Sequence, residues 1–346
     1  VRALVIPHLS GPQAGEVRDV PAPTGAHEWA DGQRLLIDVH AAGVAFPDLL
    51  QSRGEYQHGQ PVPYVAGSEV AGTVLEAPDD SRFRLGDRVA GLTLWGAVAE
   101  QALAIPRFTY RVPDSMSDEA AAALPLNYAT AWFTCRRLGL VDGETVLVHG
   151  AAGGVGTATL EYLAARGATS VAVVSDDAKA EVARSMGATH VVRSDGDWLS
   201  AVRDLTGGRG VDAVIDPVGG DRFTDSLRCL DLGGRLAVVG FAAGQIPTVK
   251  VNRLLLRDLS VVGVALAPWV DRYPQVAVDL ADDLERLAAE GRFNPHVGLV
   301  VPLDRAVDAL LALDERRIQG KAVVRVKPPR SQQPETDREL NPGGPR

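Results

Sequence analysis

The run Val146-Leu147-Val148-His149-Gly150-Ala151-Ala152-Gly153-Gly154-Val155-Gly156 constrains this chain more than any other stretch. A short apolar run of β type meets a glycine cluster and passes directly into a helical segment, Thr157 to Arg166. Strand, glycine turn and helix in that order build a seat for a dinucleotide pyrophosphate. Gly150 permits the tight turn at the strand end, and Gly153 and Gly154 leave no Cβ between backbone and phosphate. Gly156 lets the helix pack close to the strand, so that its free N–H groups face the anion. Tight turns also use glycine for steric reasons alone. The order of the surrounding elements is what gives the motif its weight.

That order is repeated downstream. Apolar runs at Ser170–Val174, His190–Val192, Val211–Asp216 and Arg235–Val239 read as strands, alternating with helices over Ala178–Met186, Trp198–Leu205 and Arg222–Leu230. Continuous apolar strands are expected where helices cover both faces of a sheet. Their alternation with helices predicts a parallel, doubly wound sheet with right-handed crossovers. Leu259–Leu266 reads as one more strand at the sheet edge. From Pro268 a helix over Val276–Ala289 leads to a strand at Val297–Val300, a helix over Asp304–Asp314 and a last strand at Ala322–Val326.

The first part of the chain has a different texture. It is rich in β-type runs (Arg34–His40, Ser68–Leu75, Phe83–Val89) broken by Gly and Pro, which suggests a compact, mostly antiparallel unit. A helix begins near Asp118 and Glu119, acids that favour the positive end of its dipole. The expected organisation is therefore a β-rich domain over residues 1–125, completed by 268–327, around a sheet domain over 126–267. The tail from 328 to 346, rich in Pro, Gly, Gln and charge, reads as disordered.

A net charge of −9 argues against general affinity for nucleic acid or an anionic membrane. The two cysteines, Cys135 and Cys229, form neither a disulfide framework nor a metal-ligand spacing. With no secretory signal and no apolar run of membrane-spanning length, a cytoplasmic location is the expectation.

Several strings together resemble the medium-chain dehydrogenase/reductase superfamily. They are Ala42-Gly43-Val44-Ala45-Phe46-Pro47-Asp48, Arg53-Gly54-Glu55-Tyr56, Pro63-Tyr64-Val65-Ala66-Gly67-Ser68-Glu69-Val70-Ala71-Gly72, the glycine loop, Gly208–Asp216 and Gly320-Lys321-Ala322-Val323-Val324. Within the superfamily the chain is similar to the zinc-free quinone oxidoreductase branch that includes ζ-crystallin. The resemblance implies an α/β fold: a Rossmann doubly wound parallel sheet plus a GroES-like β-rich domain. It places the cofactor in the cleft between the two domains and implies a homodimer.

It also raises the question of zinc. The alcohol dehydrogenase branch has its first catalytic ligand in the stretch occupied here by Ala45 and Phe46, and a histidine where Ser68 stands. Gly91–Ala104, where a structural zinc lobe would be inserted, has no cysteine. Zinc needs several donors converging on one point, so no metal site is expected. The seven histidines, His8, His27, His40, His58, His149, His190 and His296, read as surface or packed residues. Without a Lewis acid, the chemistry implied is hydride transfer from NADPH to a quinone or α,β-unsaturated carbonyl, a small molecule whose conjugation spreads the incoming charge.

By the family register, Val174 stands where NAD enzymes carry a ribose-binding acid, followed by Ser175. Lys179 matches a basic residue that meets a 2′-phosphate. Arg193 adjoins Ser194, the position at which the branch often has a tyrosine. Asp176 and Asp177 argue the other way, and Lys179 and Arg193 also read as plain surface charges. Ala152, Gly153, Gly154 and Val155 of the loop, Val218, and Gly240 with Phe241 occupy strand ends where open α/β sheets bind ligands. Thr130 matches a threonine beside the nicotinamide, and is equally an ordinary helix residue.

For catalysis the resemblance points to Tyr56, which lines the acceptor cleft in the quinone reductases, and to Asp48 beside it. Each has a purely structural alternative: a loop tyrosine, and the cap of a helix beginning near Pro47. The family commonly has asparagine at the position of Ala45. Trp95 is a pocket wall or a core residue. Two other functions stay open, an enoyl-thioester reductase and a non-catalytic, crystallin-like NADPH-binding protein.

Overall fold

A computed structural model describes residues 1–328. The expected disorder of the tail falls almost wholly outside those residues. The chain forms two compact units, Val1–Leu126 with the described residues from Val297 onward, and Asn127–His296.

The first unit is built on antiparallel pairing. In its larger sheet the strands run Val297–Pro302, Lys321–Arg325, Leu36–Val44, Glu69–Glu76, Arg88–Leu92, Thr109–Arg111, with Gln101–Leu103 also paired to Leu36–Val44. Only the first two of these strands are parallel to each other. The last strand reaches back across the sequence to pair Ala322 with Val44 and Val324 with Ala42. A smaller sheet joins Arg2–Ile6 to Glu16–Asp19 and Tyr64–Val65. Between these layers lie Leu4, Ile37, Val70, Phe83, Val89, Leu310 and Val324, all buried. Each such side chain contributes about 1.5–3 kcal/mol by leaving water.

The helix Asp118–Ala122 is tied to this sheet by charge. Ser117 caps it through the Ala120 N–H, and Asp118 takes His40 Nδ1 at 3.1 Å and Arg88 at 2.6 Å. Burial opposes ionisation of Asp118, but the His40 and Arg88 contacts outweigh it and hold the carboxyl at about 2.

In the second unit six parallel strands lie in the order His190–Arg193, Thr169–Val174, Thr145–Val148, Val211–Asp216, Leu230–Val238, Ser260–Gly263. The strand first in sequence lies third in space, so the order reverses beside it. In a doubly wound sheet that crevice is the ligand site. Val146, Leu147, Val148, Ala213, Val214 and Ile215 at the sheet's centre are fully buried, which is why they read as unbroken apolar runs.

Two expectations shift. Leu259–Leu266 is not one strand: pairing stops at Gly263 and a helix occupies Leu266–Arg272, with Pro268 in its first turn where the missing N–H costs nothing. The amphipathic helix Gln275–Ala289 lies in the second unit, so the chain returns to the first unit at Val297 and not at residue 268. Its Leu280, Leu284 and Leu287 are buried, and Asp283 accepts Trp132 Nε1 at 3.0 Å and the Tyr162 hydroxyl at 3.2 Å.

Candidate active site

The expected cofactor residues of the second unit collect at one edge of its sheet. Gly150 to Val155 follow the strand Thr145–Val148, Ser175 follows Thr169–Val174, and Ser194 follows His190–Arg193. Val218 follows Val211–Asp216, and Gly240 and Phe241 follow Leu230–Val238. In a parallel sheet all these positions are C-terminal strand ends.

The glycine loop has the form of a phosphate seat. Gly150 adopts φ +57°, which an L side chain rarely tolerates. Gly153 caps the helix Gly154–Ala165, whose first N–H groups have no carbonyl a turn earlier to bond. A Cβ on Gly156 would overlap the Gly150 carbonyl oxygen, so the helix start can sit this near the strand only as glycine. The loop therefore offers backbone donors where its glycines leave no Cβ, which fits a pyrophosphate.

Neighbouring groups extend this seat. A Cβ on Gly154 would lie 2.7 Å from Asn127 Nδ2, so the helix Pro125–Leu138 begins against the loop. Thr130 lies three residues after Asn127 on that helix, hence on the same face. Asp216 accepts the N–H groups of Val218 at 2.8 Å and Gly219 at 2.9 Å, fixing the turn after its strand. The Gly240–Phe241 segment packs against that turn, with Ala242 N–H donating to Pro217 O at 3.1 Å.

Beyond the second strand, Lys179 Nζ lies 2.7 Å from Ser175 Oγ and 2.9 Å from Asp176. Arg193 donates to Ser175 O at 2.9 Å and pairs with Asp177 at 2.5 Å and Asp195 at 2.8 Å. The two cations thus converge on Ser175, each held by acids, and Asp176 also caps the helix Asp177–Ser185. The aspartates therefore pair with the cations and also oppose an anion there.

The first unit contains a second, buried constellation. Asp48 lies in the first turn of the helix Phe46–Ser52 and accepts the Ala45 N–H at 2.7 Å, as its capping alternative foresaw. It also accepts the Ser68 hydroxyl at 2.6 Å. Lys321 Nζ contacts Glu69, whose other oxygen accepts the Leu126 N–H at 2.8 Å. Asp48, Ser68, Glu69 and Lys321 are all buried. Burial pushes the Asp48 carboxyl up to about 6, against the pull of Ser68, Ala45 and Lys321. Burial likewise lowers the Lys321 ammonium, and Asp48 draws it back up. Lys321 is thus paired with Glu69 and feels the charge of Asp48 as well.

Tyr56 is half-buried beside this cluster. Burial and then the Asp48 charge raise its phenol above the ordinary value, so it keeps its proton. Ser68, at the position of the histidine ligand in the zinc branch, is committed to Asp48. Among the described residues no group of three or more His, Cys, Asp or Glu is placed to hold a metal ion. Sequence reasoning gave no role to Glu69 or Lys321, although both lie in the quoted strings. The available signal was a lysine opening the otherwise apolar strand Lys321–Arg325.

The chain is similar to known proteins. Residues 31–114 match the family described as "Alcohol dehydrogenase GroES-like domain" and residues 154–283 the family described as "Zinc-binding dehydrogenase". The "Quinone oxidoreductase-like protein 2" of Mus musculus is 36% identical, over 89% of this chain and 87% of its own length. The chain belongs to the quinone oxidoreductase branch of the medium-chain dehydrogenase/reductase superfamily. Solved structures are similar to it in fold. A probable oxidoreductase from Mycobacterium abscessus matches with TM-score 0.84 and 39% identity, covering 94% of this chain and 98% of the other. A mycobacterial protein solved in complex with NADPH matches with TM-score 0.84 and 32% identity, covering 94% and 100%. Membership makes the chain an oxidoreductase with a GroES-like unit and a Rossmann unit. Among the described residues no helix is long and apolar enough to cross a membrane.

Proposed function

We propose that the protein reduces quinones or α,β-unsaturated carbonyls with NADPH, without a metal. The convergence of Lys179 and Arg193 on Ser175, one strand from the glycine seat, carries the cofactor reading. The mycobacterial relative solved with NADPH supports it. When bound, NADPH supplies a hydride from its nicotinamide ring.

This chain's residues would do the rest. The glycine loop and the N-terminus of the helix Gly154–Ala165 take the pyrophosphate. Lys179, Arg193 and Ser175 take the 2′-phosphate, while Thr130, Val218, Gly240 and Phe241 flank the remaining length of the dinucleotide. Tyr56 donates a hydrogen bond to the acceptor oxygen. Hydride adds to the β-carbon of an enone, the C=C electrons move to oxygen as an enolate, and one proton from Tyr56 or water completes the saturated ketone. Burial, and then the Asp48 charge, favour the protonated form of Tyr56. A homodimer fits the apolar surface of Val251, Leu255 and Leu256, which are 72%, 82% and 76% exposed, near the edge strand Ser260–Gly263.

The test is isotopic. NADPH deuterated on the transferring face, with an enone and a chelator present, is expected to place deuterium on the β-carbon. Deuterium on a carbinol carbon would make the protein an alcohol dehydrogenase. Loss of turnover on chelation would establish a metal requirement.

Cofactor choice has its own test. Lys179→Ala is expected to weaken NADPH by about 1.5–3 kcal/mol, the worth of a hydrogen bond to a charged group, and to leave NADH nearly unchanged. Titration of both cofactors by fluorescence measures it. Equal affinity of the unaltered protein for NADPH and NADH would sink the reading.

A further inference from the structure

At the N-terminal ends of the second unit's strands, away from the glycine loop, the chain leaves a cavity of about 280 Å³. It lies between the last turns of the helices Pro125–Leu138 and Gly154–Ala165 and the start of the strand Thr145–Val148. Leu163 on its wall is about 14 Å along the second of these helices from Gly154, given the helical rise per residue. The cavity is therefore separate from the pyrophosphate seat.

Its floor is apolar and carries no charge. Trp132, Cys135, Val146, Tyr162 and Leu163 form it, and all are buried. The Trp132 indole N–H and the Tyr162 hydroxyl both donate to Asp283, so they turn no unused donor to the cavity. Burial pushes the Cys135 thiol up to about 12 and raises the Tyr162 phenol too, while the Arg166 charge draws both back. Both groups keep their protons at neutral pH.

The mouth is different, because one of its cations is unspent. Arg136 pairs with Asp279 at 3.2 Å and lies over the Trp132 ring. Arg235 holds Glu144 at 2.7 Å and donates to Leu138 O at 3.0 Å, and Arg292 donates to Ala165 O at 2.7 Å. The acid and the helix-end carbonyls are thereby met without Arg166. Among the described residues no acid or carbonyl accepts the Arg166 guanidinium, which is exposed at the mouth. Asp142, also at the mouth, opposes an anion, and its exposure to solvent screens that effect.

We infer that this cavity is a second ligand site, for a flat aromatic carboxylate of up to two fused rings, with the carboxylate on Arg166 and the rings against the floor. A dry cavity of roughly 150 Å³ takes one benzene ring. This one has nearly twice that space and opens on a planar guanidinium, whose paired N–H groups match a carboxylate. A cation would meet Arg166 as a like charge, and a small polar anion would leave the floor uncovered.

Calorimetric titration of the full chain with 2-naphthoate, 2-naphthalenemethanol and acetate, with and without saturating NADP⁺, tests this. Naphthoate is expected to bind about tenfold more tightly than the uncharged alcohol, as for one charge-assisted hydrogen bond, and more tightly than acetate, which lacks the rings. Arg166→Gln should weaken naphthoate by a similar factor and leave the alcohol unchanged. Ala168→Leu, which narrows the cavity, should weaken both bicyclic probes. If that variant does not fold, the exposed Arg166→Gln decides alone. NADP⁺ should change none of these affinities. Absence of naphthoate binding, binding indifferent to Arg166→Gln, or displacement by NADP⁺ would overturn the inference.

Discussion

Tyr56→Phe is expected to lower kcat for an enone about 10²–10⁴-fold, the usual contribution of a positioned general acid. The ring and its contact with His58 survive the change, so packing of the loop is kept and only the hydroxyl is lost. NADPH affinity should not move, because the glycine loop and the Lys179 cluster contain no part of Tyr56. The loss should be smaller for a quinone, whose reduced oxygen is a less basic phenolate and needs less help from a proton donor than an enolate does. Because burial and Asp48 raise the phenol, activity should persist to higher pH than an ordinary tyrosine, with its pKa of about 10, would allow. Stopped-flow measurement of NADPH oxidation separates this step from product release. A loss below tenfold on the enone would make Tyr56 a positioning residue and water the donor.

The Rossmann half of this design is legible in the sequence because its signals are local. Residues such as Val146, Leu147 and Val148 are buried on both faces, and therefore form a continuous apolar run. Gly156 answers a steric demand set within six residues of itself, and Gly150 a positive φ of the turn. The other half depends on pairings across long separations. Nothing local says that Lys321–Arg325 returns to lie beside Leu36–Val44, so nothing local marks Lys321 as buried beside Glu69 and Asp48. The ring contacts of Trp95 with His27 and Trp29 are hidden for the same reason, and their loops turn through unusual backbone as well, with Asp31 at φ 50° and Leu94 at φ 58°. The point at which the chain returns to the first unit is not legible, because an amphipathic helix such as Gln275–Ala289 packs equally well on either unit as far as its pattern shows. The Trp132 and Tyr162 hydrogen bonds to Asp283 decide it.

Lys321→Met is expected to destabilise the protein by about 3–5 kcal/mol near neutral pH, the cost of breaking a buried ion pair by removing one partner. Methionine fills much of the same volume, so the loss comes from Glu69 and Asp48, left as buried carboxylates without their cation. Its pH dependence follows from Asp48. The folded carboxyl sits at about 6, above its value of 3.8 when free, so the folded state binds more protons than the unfolded one between those limits. Its favourable contribution is complete below the lower value and is lost as pH rises through the upper one. Removing the cation moves that carboxyl further up, which widens the window. The variant should therefore lie closer to the native protein at pH 5 than at pH 8. Urea unfolding at both pH values measures this, and equal losses at the two would show that the carboxylates are not its source. Adding Glu69→Gln to Lys321→Met should recover part of the stability, because the second change removes the stranded charge. The two sites touch, so the double variant should depart from additivity by a measurable coupling. An additive result would mean that Lys321 stabilises the fold through its packing and that its contact with Glu69 contributes nothing.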